Sequence, residues 1–195
     1  MNELLQQLRQ REKRLKSYGY DIRESRRDVF RTARLEPGTV LEVGTGKGYF
    51  TAELARHRFT VVSIDIDRKE QKAARDYLRL LGLLRNVTFK IINAEQLPFR
   101  EGFFDSVISV NVVHHLREPR ATLKEMIRVT GRRLVIADVN KRGARILERV
   151  HAGQGSVHPK TRMDLRDVKQ FLLGHGMRVK VYRLRCQTVL VAQKD

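Results

Sequence analysis

Val40-Leu41-Glu42-Val43-Gly44-Thr45-Gly46-Lys47-Gly48-Tyr49-Phe50 is the stretch from which the rest of the chain can be read. A short apolar run meets three alternate glycines, and a helical pattern follows from Tyr49 to about His57. This predicts a buried parallel strand, a tight turn and a helix start. Glycine at such a turn permits positive φ and lets a ligand approach where a Cβ would collide. The helix N-terminus behind the turn offers free N–H groups to a carboxylate or phosphate.

Two familiar glycine loops do not fit. The dinucleotide fingerprint G-x-G-x-x-G needs its third glycine at position 49, which is Tyr. A P-loop needs Ser or Thr after Gly46-Lys47, and Gly48 stands there. The pattern that remains, E-x-G-x-G-x-G, resembles motif I of the class I S-adenosylmethionine-dependent methyltransferases.

Downstream, Thr60 to Asp65 reads as a second buried strand ending in an acid. Asp65 lies 21 residues after Gly44, near the ~20 expected of a residue that accepts hydrogen bonds from a ribose diol. Asp67 is the natural cap of the next helix, predicted over 69–84. Val87 to Ile92 is a third strand, followed by Asn93-Ala94-Glu95-Gln96-Leu97-Pro98-Phe99. That segment resembles D-A-E-x-L-P-F of the type 11, or UbiE-like, methyltransferase family, with Asn93 in place of the acid. A neutral amide oxygen still accepts from an amino group, but more weakly than a carboxylate. Phe104 to Asn111 is the fourth strand, and with Val112-Val113-His114-His115-Leu116 it completes the family pattern F-D-x-V-x-S-x-x-x-x-H-H-L. Pro119 opens a helix to Val129, and Arg132 to Val139 is a fifth strand. Strands alternating with helices predict a parallel sheet with right-handed crossovers.

Around this core, residues 2–17 and a second pattern ending at Leu35 predict two amphipathic helices, read as packing against the sheet or as a basic lid. Residues 141–160 are basic and glycine-bearing and are expected to cover the site. Asp164 to Leu173 predicts a last helix. Met177–Leu184 and Gln187–Gln193 are β-rich runs whose short connection permits only antiparallel pairing. Cys186, between them, is expected away from the site as a passive apolar residue. The resemblance spans about 38–193 and implies a Rossmann-like α/β fold. Its seven-stranded, mostly parallel sheet has order 3-2-1-4-5-7-6 with the last strand antiparallel. One domain over 1–195 is expected, with 1–37 as its N-terminal helical segment.

Composition narrows the rest. One cysteine excludes an internal disulfide and a multi-cysteine zinc site. No apolar run approaches a membrane span, and Met1-Asn2-Glu3 begins no signal peptide, so a cytoplasmic protein is expected. The net charge is +18, unevenly spread. Residues 1–35 hold 10 basic and 5 acidic residues, 36–116 hold 11 and 10, and 117–185 hold 18 and 6. Such basic flanks attract nucleic acid or acidic small molecules, or serve stability alone.

The resemblance implies S-adenosylmethionine as cofactor. Glu42 would stand near its ammonium end and Gly44, Thr45, Gly46 and Gly48 beneath its methionine part. Asp65 would hold the ribose and Asn93 and Ala94 the adenine, and Ile66 and Asn111 are further expected cofactor contacts. Methyl transfer needs positioning, plus a base if the acceptor loses a proton. His114 and His115 are the titratable pair where the acceptor would stand. The absence of N/D-P-P-Y/F after strand 4 argues against exocyclic base methylation, and the lack of a nearby cysteine argues against cytosine C5 methylation. A small-molecule acceptor, anionic or neutral, is expected; RNA, tRNA included, and a cofactor-binding scaffold without catalysis are the alternatives. Arg145, Arg149, Lys160 and Arg162 are the cations expected over the site. Nothing in the sequence fixes an oligomeric state.

Overall fold

The computed structural model describes residues 2–35, 38–57, 59–151 and 163–194. Among them, seven strands form one sheet: β1 (Thr39–Val43), β2 (Thr60–Asp65), β3 (Val87–Ile91), β4 (Phe104–Val110), β5 (Thr130–Val139), β6 (Arg178–Arg183) and β7 (Gln187–Gln193). Their order is β3-β2-β1-β4-β5-β7-β6. Strands β1 to β5 pair in parallel, and β7 is antiparallel to both β5 and β6. Order and orientation are those expected.

Alternation along the strands divides the apolar side chains between two faces. Helices α2 (Ile22–Ala33) and α3 (Tyr49–Arg56) bring Val29, Ala33, Phe50 and Leu54 onto Val40, Val61, Ile108 and Val189. Helices α5 (Pro119–Val129) and α7 (Leu165–Gly174) bring Leu123, Met126, Val168 and Leu172 onto Leu41, Val43, Leu134, Ile136 and Leu190. Both faces of β1 are therefore covered, which is why it reads as a continuous apolar run broken only by Glu42.

Local chemistry sets the helix ends. Asp67 accepts from the N–H groups of Lys69 and Glu70 and starts α4 (Arg68–Leu80), as expected. This helix stops four residues short of the predicted 84. Gly82 takes φ +67°, donates to Arg79 O, and lets Leu83 donate to Leu78 O, a left-handed C-terminal closure. Asp164 and Asp167 cap α7 reciprocally.

The first helix, α1 (Asn2–Ser17), does not lie on the sheet. Its Leu15, with Tyr20 after it, packs on Ile146 and Val150 of α6 (Lys141–His151) and on Cys186. The basic stretch after β5, for which the sequence predicted no element, begins as an amphipathic helix. Arg145 and Arg149 lie on it; Lys160 and Arg162 lie outside the described residues.

Cys186 requires a correction. It is buried, as expected of a small apolar residue, but it sits at the carboxyl end of the sheet, not away from it. Gln187 opens β7 opposite Val139, the last residue of β5, so the β6–β7 turn must stand at that end. Asn140 N–H donates to Cys186 O at 3.0 Å.

Candidate functional site

The carboxyl end of β1 builds the first half of the site. Gly44 (φ +89°) and Thr45 both donate to Ile64 O, at 2.9 and 3.0 Å, which folds the turn over β2. A Cβ on Gly44 would meet Val112 Cγ2 at 2.2 Å, and one on Gly48 (φ +77°) would meet Ala74 Cβ at 2.8 Å. At Gly46 (φ +48°) a Cβ would meet nothing within 4 Å. Two glycines are there for packing; the middle one faces open space. Gly48 starts α3 with no side-chain cap, leaving first-turn N–H groups for an anion.

Beneath the turn lies a buried polar network. Glu42 is 2% exposed, and its Oε2 accepts from Thr51 Oγ1 and Ser63 Oγ, both at 2.6 Å. Ser63 Oγ also meets Thr45 Oγ1 at 2.6 Å, and Gln71 Nε2 donates to Thr45 Oγ1 at 3.1 Å. Oε1 of Glu42 takes no hydrogen bond among the described residues. Burial pushes the Glu42 carboxyl up to about 7, against the pull of the two hydroxyls. An acid raised in the folded state keeps a proton that the unfolded chain has lost. Its contribution is therefore complete below pH 4.5 and is lost as pH rises to about 7. The loss is on the order of 3 kcal/mol. Denaturant titrations at pH 5 and pH 8 are expected to show this decline in the wild type and a clearly smaller one in Glu42→Gln; equal declines would exclude Glu42 as its source.

Asp65 ends β2 facing the turn. Its Oδ2 accepts from Gly46 N–H at 2.8 Å and its Oδ1 from Asp67 N–H at 3.0 Å, so the carboxylate is fixed beside the middle glycine. Ile66, next in sequence, is 69% exposed and offers a flat apolar surface. Asn93 is exposed after β3, its Oδ1 accepting from Glu95 N–H at 3.0 Å, and Ala94 packs partly against the core. One lone pair of that amide oxygen is thus engaged locally, leaving the other.

The second half of the site lies at the ends of β4 and β5. Asn111 takes a left-handed conformation (φ +59°), donates from its N–H to Ala137 O, and accepts from Gln187 Nε2 at 2.8 Å. The chain then turns through a short 3-10 helix, Val113–His115. His114 Nδ1 lies 2.7 and 2.9 Å from the two carboxylate oxygens of Asp138. His114 N–H also donates to Asp138 Oδ2 at 3.2 Å. Asp138 is 5% exposed, so a buried acid grips the ring. Its bond at Nδ1 fixes the proton there and leaves Nε2 as the basic nitrogen. The His115 ring lies 4.0 Å from that of His114, centroid to centroid.

Helices α1 and α2 roof the same end. Arg26 of α2 stacks 4.5 Å above the Tyr49 ring, immediately after the glycine turn, and lies 3.6 Å from Glu12 of α1. Tyr20 is 1% exposed and its hydroxyl has no hydrogen bond of normal geometry among the described residues; burial pushes its pKa up to about 12. Ser25, beside it, bonds Gln187 Oε1 instead. The structure therefore brings Gly44, Thr45, Gly46, Gly48, Asp65 and Ile66 together on one side and Asn111, His114 and His115 on the other, with Glu42 buried below. Asp138, Gln187, Tyr20 and Arg26 were not singled out by the sequence. Asp138 did carry a signal: it is a lone acid closing the apolar run Leu134–Val139.

Comparison with known proteins decides what kind of site this is. Residues 41–133 match the family model described as "Methyltransferase domain". Over this stretch the chain is similar to a methyltransferase domain. Methyltransferase GfsG of Streptomyces halstedii is 36% identical over 107 residues, covering 53% of this chain and 38% of that protein. The ubiquinone/menaquinone biosynthesis C-methyltransferase UbiE of Geobacter sulfurreducens is 30% identical over 144 residues, covering 71% of this chain and 56% of its own length. The match thus spans about half or less of these relatives. A methyltransferase from Aquifex aeolicus shares the fold with TM-score 0.70 and 24% identity, over 87% of this chain and 89% of that one. Magnesium protoporphyrin IX methyltransferase of Synechocystis, a structure with bound S-adenosylhomocysteine, shares it with TM-score 0.67 and 19% identity, over 88% and 83%. The fold is shared with S-adenosylmethionine-dependent methyltransferases.

Proposed function

We propose that the protein methylates a small-molecule acceptor with S-adenosylmethionine, His114 serving as the acceptor's base under the control of Asp138. The observation that carries this reading is the His114–Asp138 pair, set at the same end of the sheet as the glycine turn. The residues of the first half suit the cofactor. The space over Gly46 and the first turn of α3 receive its carboxylate end, and Glu42 Oε1 is the oxygen left for its ammonium group. Asp65 accepts from the ribose hydroxyls, Ile66 supports the adenine and Asn93 accepts from its amino group. When bound, the cofactor supplies a methyl group on a positively charged sulfur, open to in-line attack.

The protein's own contribution is then positioning and proton removal. Nε2 of His114 takes the acceptor's proton, and the Asp138 carboxylate stabilises the resulting imidazolium. Val112, packed against Gly44, ties the turn to the β4 exit. A scaffold that only bound the cofactor would have no chemical use for this buried carboxylate–histidine pair. Calorimetry with S-adenosylhomocysteine tests the donor half: saturable binding is expected, with no comparable affinity for a nicotinamide dinucleotide. Label transfer from radioactive S-adenosylmethionine to a protein-free metabolite extract, run beside cellular RNA, tests the acceptor. Ribonuclease-sensitive label in the RNA alone would overturn the small-molecule reading.

A further inference from the structure

Beside the His114–Asp138 pair lies a cleft of about 920 Å³. Its relation to the pair follows from strand register. Thr188 stands opposite Asp138 and Arg183 opposite Thr188. Residues directly opposed on antiparallel strands share a face, so Asp138, Thr188 and Arg183 form one row across β5, β7 and β6. At a strand spacing of ~4.8 Å, that row sets Arg183 about 10 Å from Asp138. The next row down contains Leu190 and Val181, and both line the cleft. Val181 is 39% exposed, an apolar floor open on one side.

The walls are cationic. Lys141 and Arg142 come from the start of α6, Arg166 and Lys169 from α7, and Arg183 from the row itself. Asp164 is the one acid among the lining residues, and its side chain is spent on capping α7. It reaches Arg166 only at 4.0 Å. Among the described residues, Lys141, Arg142, Lys169 and Arg183 have no carboxylate partner. Like charges gathered in one concave, partly apolar opening repel each other, and an anion seated among them relieves that repulsion. Solvated basic side chains on a convex surface would need no such explanation; these surround a cavity that begins one residue after the base-holding Asp138.

We propose that this cleft is the anion subsite for the methyl acceptor, binding phosphate groups while the reacting atom lies at His114. The proposal rests on the methyl-transfer reading above. A single carboxylate would use one or two of the five cations, whereas phosphate groups use several, and guanidinium forks match pairs of phosphate oxygens. The volume suits a molecule of nucleotide size. The phosphate can belong to a small phosphorylated acceptor or to a polynucleotide.

The experiment titrates the full chain, loaded with S-adenosylhomocysteine, with inorganic pyrophosphate at low salt. Saturable binding is expected, weakened about tenfold or more in the double variant Lys169→Gln/Arg183→Gln. The variant's affinity for S-adenosylhomocysteine is expected to stay unchanged. A second double variant, Arg100→Gln/Lys124→Gln, removes equal charge from exposed positions outside the cleft and is expected to retain pyrophosphate binding. No saturable binding by the wild type, or equal weakening in both variants, would overturn the proposal. A single-stranded RNA oligonucleotide distinguishes the sources. Binding about 100-fold tighter than pyrophosphate, steeply salt-dependent and lost in the cleft variant, assigns the phosphates to RNA. Similar affinity assigns them to a small acceptor. Failure of the wild type to bind S-adenosylhomocysteine would sink the methyl-transfer reading instead, and is read in a separate titration.

Discussion

Replacing His114 with Ala is expected to slow methyl transfer by about 10²- to 10⁴-fold, the range over which a positioned base acts. Affinity for S-adenosylhomocysteine should not follow, because His114 stands at the exit of β4 and not on the glycine turn. Asp138→Asn is the sharper test. An asparagine keeps the size of the side chain, but it can present its NH₂ group to Nδ1 and so favour the tautomer with its proton on Nε2. The ring then stays in place with its base blocked. The expected signature is a kcat loss in both variants, with the double variant no worse than His114→Ala alone, since the two residues act as one unit. The bond being tested spans 2.7 Å and involves an acid that is 5% exposed. Loss of a buried partner also costs stability, so thermal melts must accompany the rates. Transfer rates within a few-fold of wild type in a folded His114→Ala protein would remove histidine from the chemistry.

The glycine turn gives the second large effect, through contrast between neighbours. Gly44→Ala would hold an L-residue at φ +89° and push its Cβ to 2.2 Å from Val112 Cγ2. The left-handed backbone costs about 1–2 kcal/mol, and the overpacking adds about 1–3 kcal/mol. At this chain length that is a fall of roughly 5–20 °C in Tm, because 1 kcal/mol shifts it by about 2–4 °C. Gly46→Ala meets nothing within 4 Å, so only the backbone term, about 1–2 kcal/mol, applies to the fold. Its methyl group instead enters the space assigned to the ligand. Binding of S-adenosylhomocysteine is expected to weaken by more than about tenfold, out of proportion to the small change in Tm. Differential scanning calorimetry and ligand titration on both variants check this. Undiminished binding by Gly46→Ala would mean that the open side of the turn is not the ligand's seat.

Much of this arrangement was legible from local sequence because β1, the turn and α3 are contiguous. The apolar run, the glycine spacing and the acid at position 65 each act within a few residues of one another or at a fixed βα distance. Asp67 could be read as a cap for the same reason. The His114–Asp138 bond could not, since its partners are 24 residues apart and meet only through the pairing of β4 with β5. The helix over Lys141–His151 was hidden by its basic residues and by Gly143. That glycine is a packing requirement, because a Cβ there would stand 2.3 Å from Cys186 O. The side on which Cys186 lies was deducible in principle. An antiparallel β7 joined to β6 by a tight turn forces that turn to the carboxyl end, a step of topology that no residue type announces.

The position of β7 has one more implication, for the order in which the molecule is made. Strand β6 hydrogen-bonds within the sheet only to β7, yet it precedes β7 in the chain. A growing polypeptide that has reached residue 183 can already stack β1 to β5 and form the glycine turn, but its β6 has no neighbour. When Gln187 follows, its side chain joins Ser25 of the N-terminal roof to Asn111 at the β4 exit. The His114–Asp138 pair, held by β4 and β5, therefore precedes the Gln187 bridge. The polar bridge from the N-terminal helices to the β4 exit is thus made only once β7 begins, after every strand of the parallel part of the sheet.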